Sequence, residues 1–199
     1  MKTLAVMLFT AAFAVSFADV TATCGWEGTD TVLGTYGGMQ ATIETVDPIH
    51  EGSQSLELEQ TAGSDGNTQA YVAWITGLTD GDQVTASIWR YDDTPGAAPS
   101  GRIWAHWNDD PNDVTGYNGS AGGNSDYGEG LGWDMTEHSW EVVDGHTGLV
   151  IEFRVYSAPG DIVWVDDLTV TAPDGSGIIV PDYAQSLDSS TWATIKAIF

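Results

Sequence analysis

The chain has 199 residues, of which 29 are Asp or Glu and 5 are Lys or Arg, for a net charge of −24. That excess of negative charge repels phosphate backbones, anionic membranes and anionic polysaccharides, so nucleic-acid binding is excluded while neutral glycans and cations remain open as partners. A single cysteine, Cys24, rules out an intramolecular disulfide.

In chain order, Met1-Lys2 precedes a mostly apolar run over 4–13 and then Ser16-Phe17-Ala18. A charged start, a short apolar core and a small-x-small site predict a secretory signal peptide over 1–18. The run is too short to cross a bilayer and no later segment is longer, so no membrane insertion is expected. The mature chain would begin near Asp19 and run ~180 residues, the size of one domain, placed outside the cytoplasm as a secreted or cell-surface protein. Cys24 has two readings, a lipidated cysteine or a small buried thiol. Thr21-Ala22-Thr23 before it lack the Leu and the small preceding residue that a lipid-attachment site carries.

Short alternating runs follow, at 31–36, 40–46, 54–60, 69–75, 83–91, 102–108, 138–143, 149–157 and 161–171. Turn signals such as Thr79-Asp80-Gly81-Asp82, Val143-Asp144-Gly145 and Ala158-Pro159-Gly160 separate them. Period-2 alternation broken by frequent turns predicts an all-β protein, a two-sheet antiparallel β-sandwich or jelly roll over 19–171. Segment 109–132, rich in Asn, Asp, Gly and Ser, breaks the pattern and predicts a long loop, functional or disordered, with Tyr117, Tyr127 and the following Trp133 arguing for order. Residues 172–177 read as a linker. Ser189-Ser190-Thr191 then cap a predicted short helix over 192–199, so 172–199 is assigned as linker and C-terminal tail. Such a helix needs a docking surface: its own domain, a partner chain, or an export or surface-attachment partner.

Strand parity sorts the side chains into faces. Val84, Ala86 and Ile88 share one side of 83–91, and Trp89 and Tyr91 the other. Ile103, Ala105 and Trp107 oppose Arg102, Trp104 and His106. Leu149, Ile151, Phe153 and Val155 oppose Glu152, Arg154 and Tyr156. The aliphatic sets predict core. The second sets, taken as one continuous face formed by a hairpin at 83–108 and the strand at 149–157, predict a ligand-binding surface of Trp89, Tyr91, Trp104, His106, Arg154 and Tyr156. Aromatic rings stack on the apolar face of a pyranose, and Arg, His and Glu bind its hydroxyls.

Three segments together resemble the carbohydrate-binding modules of the galactose-binding-domain-like jelly-roll type. They are Gly25-Trp26-Glu27-Gly28, His50-Glu51-Gly52-Ser53-Gln54-Ser55-Leu56-Glu57-Leu58 and Val163-Trp164-Val165-Asp166-Asp167-Leu168-Thr169-Val170. The resemblance implies a jelly roll with a structural calcium ion held by Glu27, the backbone around Gly52 and Ser53, and Asp166 or Asp167. Calcium takes six to eight hard oxygens, and carboxylates with backbone carbonyls are such donors. A second oxygen-rich stretch, Asn108-Asp109-Asp110-Pro111-Asn112-Asp113, lacks the Gly and terminal Glu of an EF-hand loop. The C-terminal Ser190-Thr191-Trp192-Ala193-Thr194-Ile195-Lys196 is similar to tails on other exported bacterial β proteins.

No Gly-x-Ser-x-Gly elbow, His-Glu-x-x-His pair or Glu-x-Asp-x-x-Glu pattern is present, and the four His are scattered. The expectation is a secreted, non-catalytic, calcium-stabilised module that binds a neutral polysaccharide weakly. The alternative is a structural or adhesive extracellular protein without a sugar ligand.

Overall fold

The computed structural model describes residues 19–61, 68–92, 100–128, 130, 132–156 and 158–181. The expected signal peptide and the expected helix over 192–199 lie outside the described residues. Among the described residues twelve strands are formed: β1 (Val20–Cys24), β2 (Gly34–Tyr36), β3 (Met39–Glu44), β4 (Ser55–Gln60), β5 (Thr68–Thr76), β6 (Gln83–Asp92), β7 (Ser100–Trp107), β8 (Ser120–Gly123), β9 (Gly132–Glu141), β10 (Gly148–Tyr156), β11 (Ile162–Ala172) and β12 (Gly177–Ile179). They make two antiparallel sheets. Sheet A has the order β3-β4-β11-β6-β9, with β1 also on β11. Sheet B has the order β12-β5-β10-β7-β8, with β2 also on β5. The all-β sandwich read from alternation is the observed architecture.

Each sheet is organised by one long strand that carries two short strands end to end on the same edge. In sheet A, Ile162–Val165 of β11 pair with β4, while Leu168–Ala172 pair with β1. In sheet B, Gln69–Tyr71 of β5 pair with β2, while Trp74–Thr76 pair with β12. Between its two partners β11 bulges at Asp166–Asp167, where Asp167 takes a left-handed φ of 47°. The bulge resets parity and aims two carboxylates at the gap between β1 and β4.

The core lies between the sheets. Leu56, Leu58, Ile88, Val163, Val165, Leu168 and Val170 of sheet A meet Val72, Ile75, Ile103, Ile151 and Phe153 of sheet B, all fully buried. The core-facing sets that parity assigned on β6, β7 and β10 are the buried ones, Trp107 included. Cys24 is the small buried thiol of the second reading.

Two expectations need correction. Residues 83–108 do not form a hairpin. β6 pairs with β11 and β9 in sheet A, and β7 pairs with β10 and β8 in sheet B. The connection between them crosses from one sheet to the other, as jelly-roll wiring requires, so Trp89 and Tyr91 lie on the opposite side of the sandwich from Trp104, His106, Arg154 and Tyr156. In addition, the chain after Thr171 is not a linker. A turn at 173–176 leads into β12, which pairs with β5 and buries Ile178 and Val180 in the core. The segment was too short and glycine-rich to read as a strand. The loop over 109–132 likewise contains β8, whose Gly123 lies against Trp104 so closely that a Cβ there would come within 2.7 Å of the Trp104 Cα.

A chain ending at Ala172 should be less stable than one ending at Pro181 by about 3–6 kcal/mol, the worth of two buried aliphatic side chains. Denaturant titration of the two truncations measures this, and equal midpoints would show that β12 is decorative.

Candidate functional site

The outer face of sheet B carries a cluster of polar and aromatic side chains. Parity along β7 and β10 puts Arg102, Trp104 and His106 beside Glu152, Arg154 and Tyr156, with Glu152 opposite Trp104 and Arg154 opposite Arg102. Glu152 is fully buried. It faces His106 Nδ1 at 2.5 Å through Oε1 and accepts a hydrogen bond from Arg154 Nε at 2.6 Å through Oε2. The other ring nitrogen of His106 donates to the Gly116 carbonyl at 3.1 Å. A buried carboxylate held by two such groups orders its surroundings, because removing either one would strand a charge out of water. The Arg102 guanidinium lies over three rings, 4.4 Å from Trp104, 4.4 Å from Tyr127 and 5.0 Å from Tyr156. Arg154 approaches Trp104 at 4.6 Å.

Trp104 is thus packed against two guanidinium groups, where sequence parity alone suggested a bare stacking ring. The exposed rings come from the loops instead. Tyr117 sits beside His106, and Tyr127 sits against Tyr156. His106 and Arg102 are four residues apart on β7, so the two tyrosines bracket a row about 13 Å long. Its floor combines hydrogen-bond donors, acceptors and aromatic edges. Sequence reasoning missed Tyr117 and Tyr127, because loop residues carry no parity. It also left Arg102 and Glu152 out of the binding set, although both shared the parity of residues that were included.

Arg90 fixes one end of this row from the inside. It is buried on the core-facing parity of β6. Its Nη1 donates to the Asp126 carbonyl at 2.8 Å and its Nη2 to the Asp126 carboxylate at 2.8 Å. Asp134 takes the remaining side of the guanidinium. The residue next to Asp126 is Tyr127. Asp126 is held below the ordinary carboxylate range, although burial, the largest influence on it, acts in the opposite direction.

A second cluster fills the gap between β1 and β4, where all three segments behind the family resemblance meet. Glu27 accepts from the Ser53 amide at 2.9 Å, the Ser53 hydroxyl at 2.6 Å and the Gln54 amide at 3.1 Å. The Ser53 hydroxyl, above all, holds Glu27 below the usual carboxylate range. Gly52 is obligatory here, with a φ of 72° and Glu27 occupying the space a Cβ would need. Asp166, fully buried, accepts from the amides of His50 and Glu51 at 3.1 and 3.2 Å. Asp167 meets His50 Nδ1 at 2.6 Å. The predicted metal set therefore divides into Glu27 with Gly52 and Ser53, and Asp166 with Asp167, joined through the segments 25–27 and 50–54. His50 and Glu51 belong with the second group and were not predicted. Ligand atoms of His50, Glu51 and Asp167 lie within 4.8 Å of one another. A Cβ on Gly25 would stand 3.6 Å from one Oδ1 and 3.8 Å from the other in the Asp167–Asp166 pair.

The second oxygen-rich stretch is occupied by its own backbone. Asp110 accepts from the Asn112 amide, Asp113 from the Thr115 amide and hydroxyl, and Asp109 from the Thr147 amide and His146. The Asp110 and Asp113 contacts form local turns, and Asp109 ties the loop to the segment before β10.

No protein-family model matches the sequence, and no curated protein matches it. Among solved structures the chain is similar to the CBM22-1 xylan-binding domain of Paenibacillus barcinonensis Xyn10C, with a TM-score of 0.56 and 12% identity over 80% of this chain and 98% of that one. The tandem CBM22-1–CBM22-2 domains of the same enzyme give a TM-score of 0.54 at 13% identity, over 89% of this chain and 50% of that one. The CBM22-1–GH10 modules of Clostridium thermocellum xylanase 10B, solved with xylohexaose, give 0.50 at 12% identity, over 77% of this chain and 28% of that one.

Burial pushes the Asp166 carboxyl up from 3.8 to about 6, and the adjacent Asp167 charge adds to this. The folded state then takes up this proton at higher pH than the unfolded chain. The contribution of Asp166 to stability should fall as pH rises from about 4 to about 6 and stay low above that. The unfolding free energy of the protein, minus that of Asp166→Asn, should decline across this window; a flat difference would mean that the group is solvated. By its strand order and sandwich architecture the chain has the β-jelly-roll fold of carbohydrate-binding modules.

Proposed function

We propose that the protein is a secreted, non-catalytic carbohydrate-binding module that takes a neutral polysaccharide along the outer face of sheet B. The observation that carries this reading is the row bracketed by exposed Tyr117 and Tyr127, floored by the Glu152-centred network and Trp104. Rings and fixed hydrogen-bonding groups at alternating positions match the apolar faces and hydroxyls of a sugar chain. The net charge of −24 disfavours uronic-acid-rich polymers. The similar solved domains include xylan binders, which makes an uncharged xylan the first ligand to try. Affinity in the micromolar-to-millimolar range is expected, about −4 to −8 kcal/mol. In calorimetric titration with xylo-oligosaccharides, Trp104→Ala should abolish measurable binding and Tyr117→Ala should weaken it roughly tenfold, as for an interface anchored by a few aromatics. Full binding by both variants would remove sheet B as the site.

Calcium is proposed as a structural ion at the gap between β1 and β4. The residues fit it: a buried Asp166, an adjacent Asp167 and Glu51 bring carboxylate oxygens together with no Lys or Arg among the described residues nearby. Glu27 would act by shaping the 52–54 turn around the ion. Binding only the folded state adds roughly 2.7 kcal/mol at a hundredfold excess over Kd. The melting temperature should rise with calcium and fall on chelation, and Asp167→Asn should abolish the response. An unchanged melting temperature on chelation, or an Asp167→Asn variant that still responds, would remove the ion from this gap.

A further inference from the structure

We infer that the outer face of sheet A is a second binding site, selective for an organic cation of the quaternary-ammonium type. Trp164, Tyr91 and Trp133 stand directly opposite one another on β11, β6 and β9, and Glu57 of β4 is the next residue in the same row. The rings meet edge to face, Tyr91 being 5.9 Å from Trp164 at 78° and 5.4 Å from Trp133 at 62°. Trp89, one pleat along on β6, is stacked by His50 at 4.0 Å. Edge-to-face rings turn their π faces in different directions, which gives walls in place of a flat sugar platform. Further along this face the outward positions carry Thr85, Ser87, Ser139, Thr169 and Thr171, with Met135 opposite Trp89 and Glu137 opposite Ser87. The aromatics are therefore gathered at one end and not spread by β-propensity.

Charge decides the ligand. The chain has five Lys and Arg in all: Lys2, Arg90, Arg102, Arg154 and Lys196. Among the described residues, Arg90 is buried between the sheets, and Arg102 and Arg154 lie over the rings of sheet B. The rings of sheet B thus already hold the protein's own cations. The equally aromatic row of sheet A has none from Lys or Arg among the described residues, and carboxylates flank it. Glu57 is raised above its ordinary range, first by burial and then by the charges of Glu44 and Glu59. A second copy of this face would bring like charges together, and an anionic partner would be repelled. A weakly hydrated ammonium gains from both ring faces and carboxylates.

The probes are choline and its neutral isostere 3,3-dimethylbutan-1-ol, followed by NMR of the indole N–H signals of the mature protein. Choline should shift the Trp133 and Trp164 signals with an affinity at least roughly threefold above the isostere, the gain of one exposed cation–π contact. Glu57→Gln should weaken choline roughly two- to fivefold. Trp104→Ala, which removes the proposed glycan site, should leave choline binding intact, so the two readings fail separately. Glucosamine tested against glucose as a further pair distinguishes an amino-sugar source from a choline-type headgroup. Equal affinity for each cation and its neutral counterpart overturns the proposal, as does choline binding that survives both Glu57→Gln and Trp164→Phe unchanged.

Discussion

The bulge in β11 is the constraint on which the rest of the molecule depends. β11 is the longest strand and pairs with β1, β4 and β6. One edge of it must serve two short strands in succession, and the ladder can change partner only where pairing is interrupted. Asp166 and Asp167 sit at that interruption. Their carboxylates take the amides of His50 and Glu51 and the His50 ring, which ties the turn before β4 to the centre of sheet A. Placing an acid pair in a core strand costs solvation. That cost is offset by backbone donors, and a bound divalent ion would offset it further.

The two outer faces share aromatic richness and differ in what occupies their rings. On sheet B, guanidinium groups lie over Trp104, Tyr127 and Tyr156, and a buried Glu152 holds Arg154 and His106 in place. On sheet A, rings pack on rings beside carboxylates. Of the three Arg among the described residues, two lie on one face and the third lies inside. The same period-2 alternation therefore produces one polar aromatic surface that is internally neutralised and one that is left acidic.

The sandwich was legible in the sequence because period-2 alternation and turn residues are local properties. Nine of the twelve strands coincide with alternating runs, and the core-facing sets of β6, β7 and β10 follow directly from parity. The strands that escaped notice, β1, β8 and β12, are short edge strands with three to five residues each, and β8 and β12 are glycine-bearing. Their order comes from the neighbour they pair with. The meeting of the 25–28, 50–58 and 163–170 segments was implied by resemblance, and the structure brings them together at the β11 bulge.

By itself the sequence determined which side chains alternate, which of them are apolar enough to be buried, and how acidic the whole must be. It did not determine which strands share a sheet. Trp89 and Trp104 have equivalent parity on consecutive strands, yet they face opposite sides of the sandwich, because the connection between β6 and β7 crosses from one sheet to the other. Parity is set by the geometry of one strand. Sheet membership is set by hydrogen bonds to strands distant in the chain, β11 for Trp89 and β10 for Trp104, and those pairings exist only once the core has assembled.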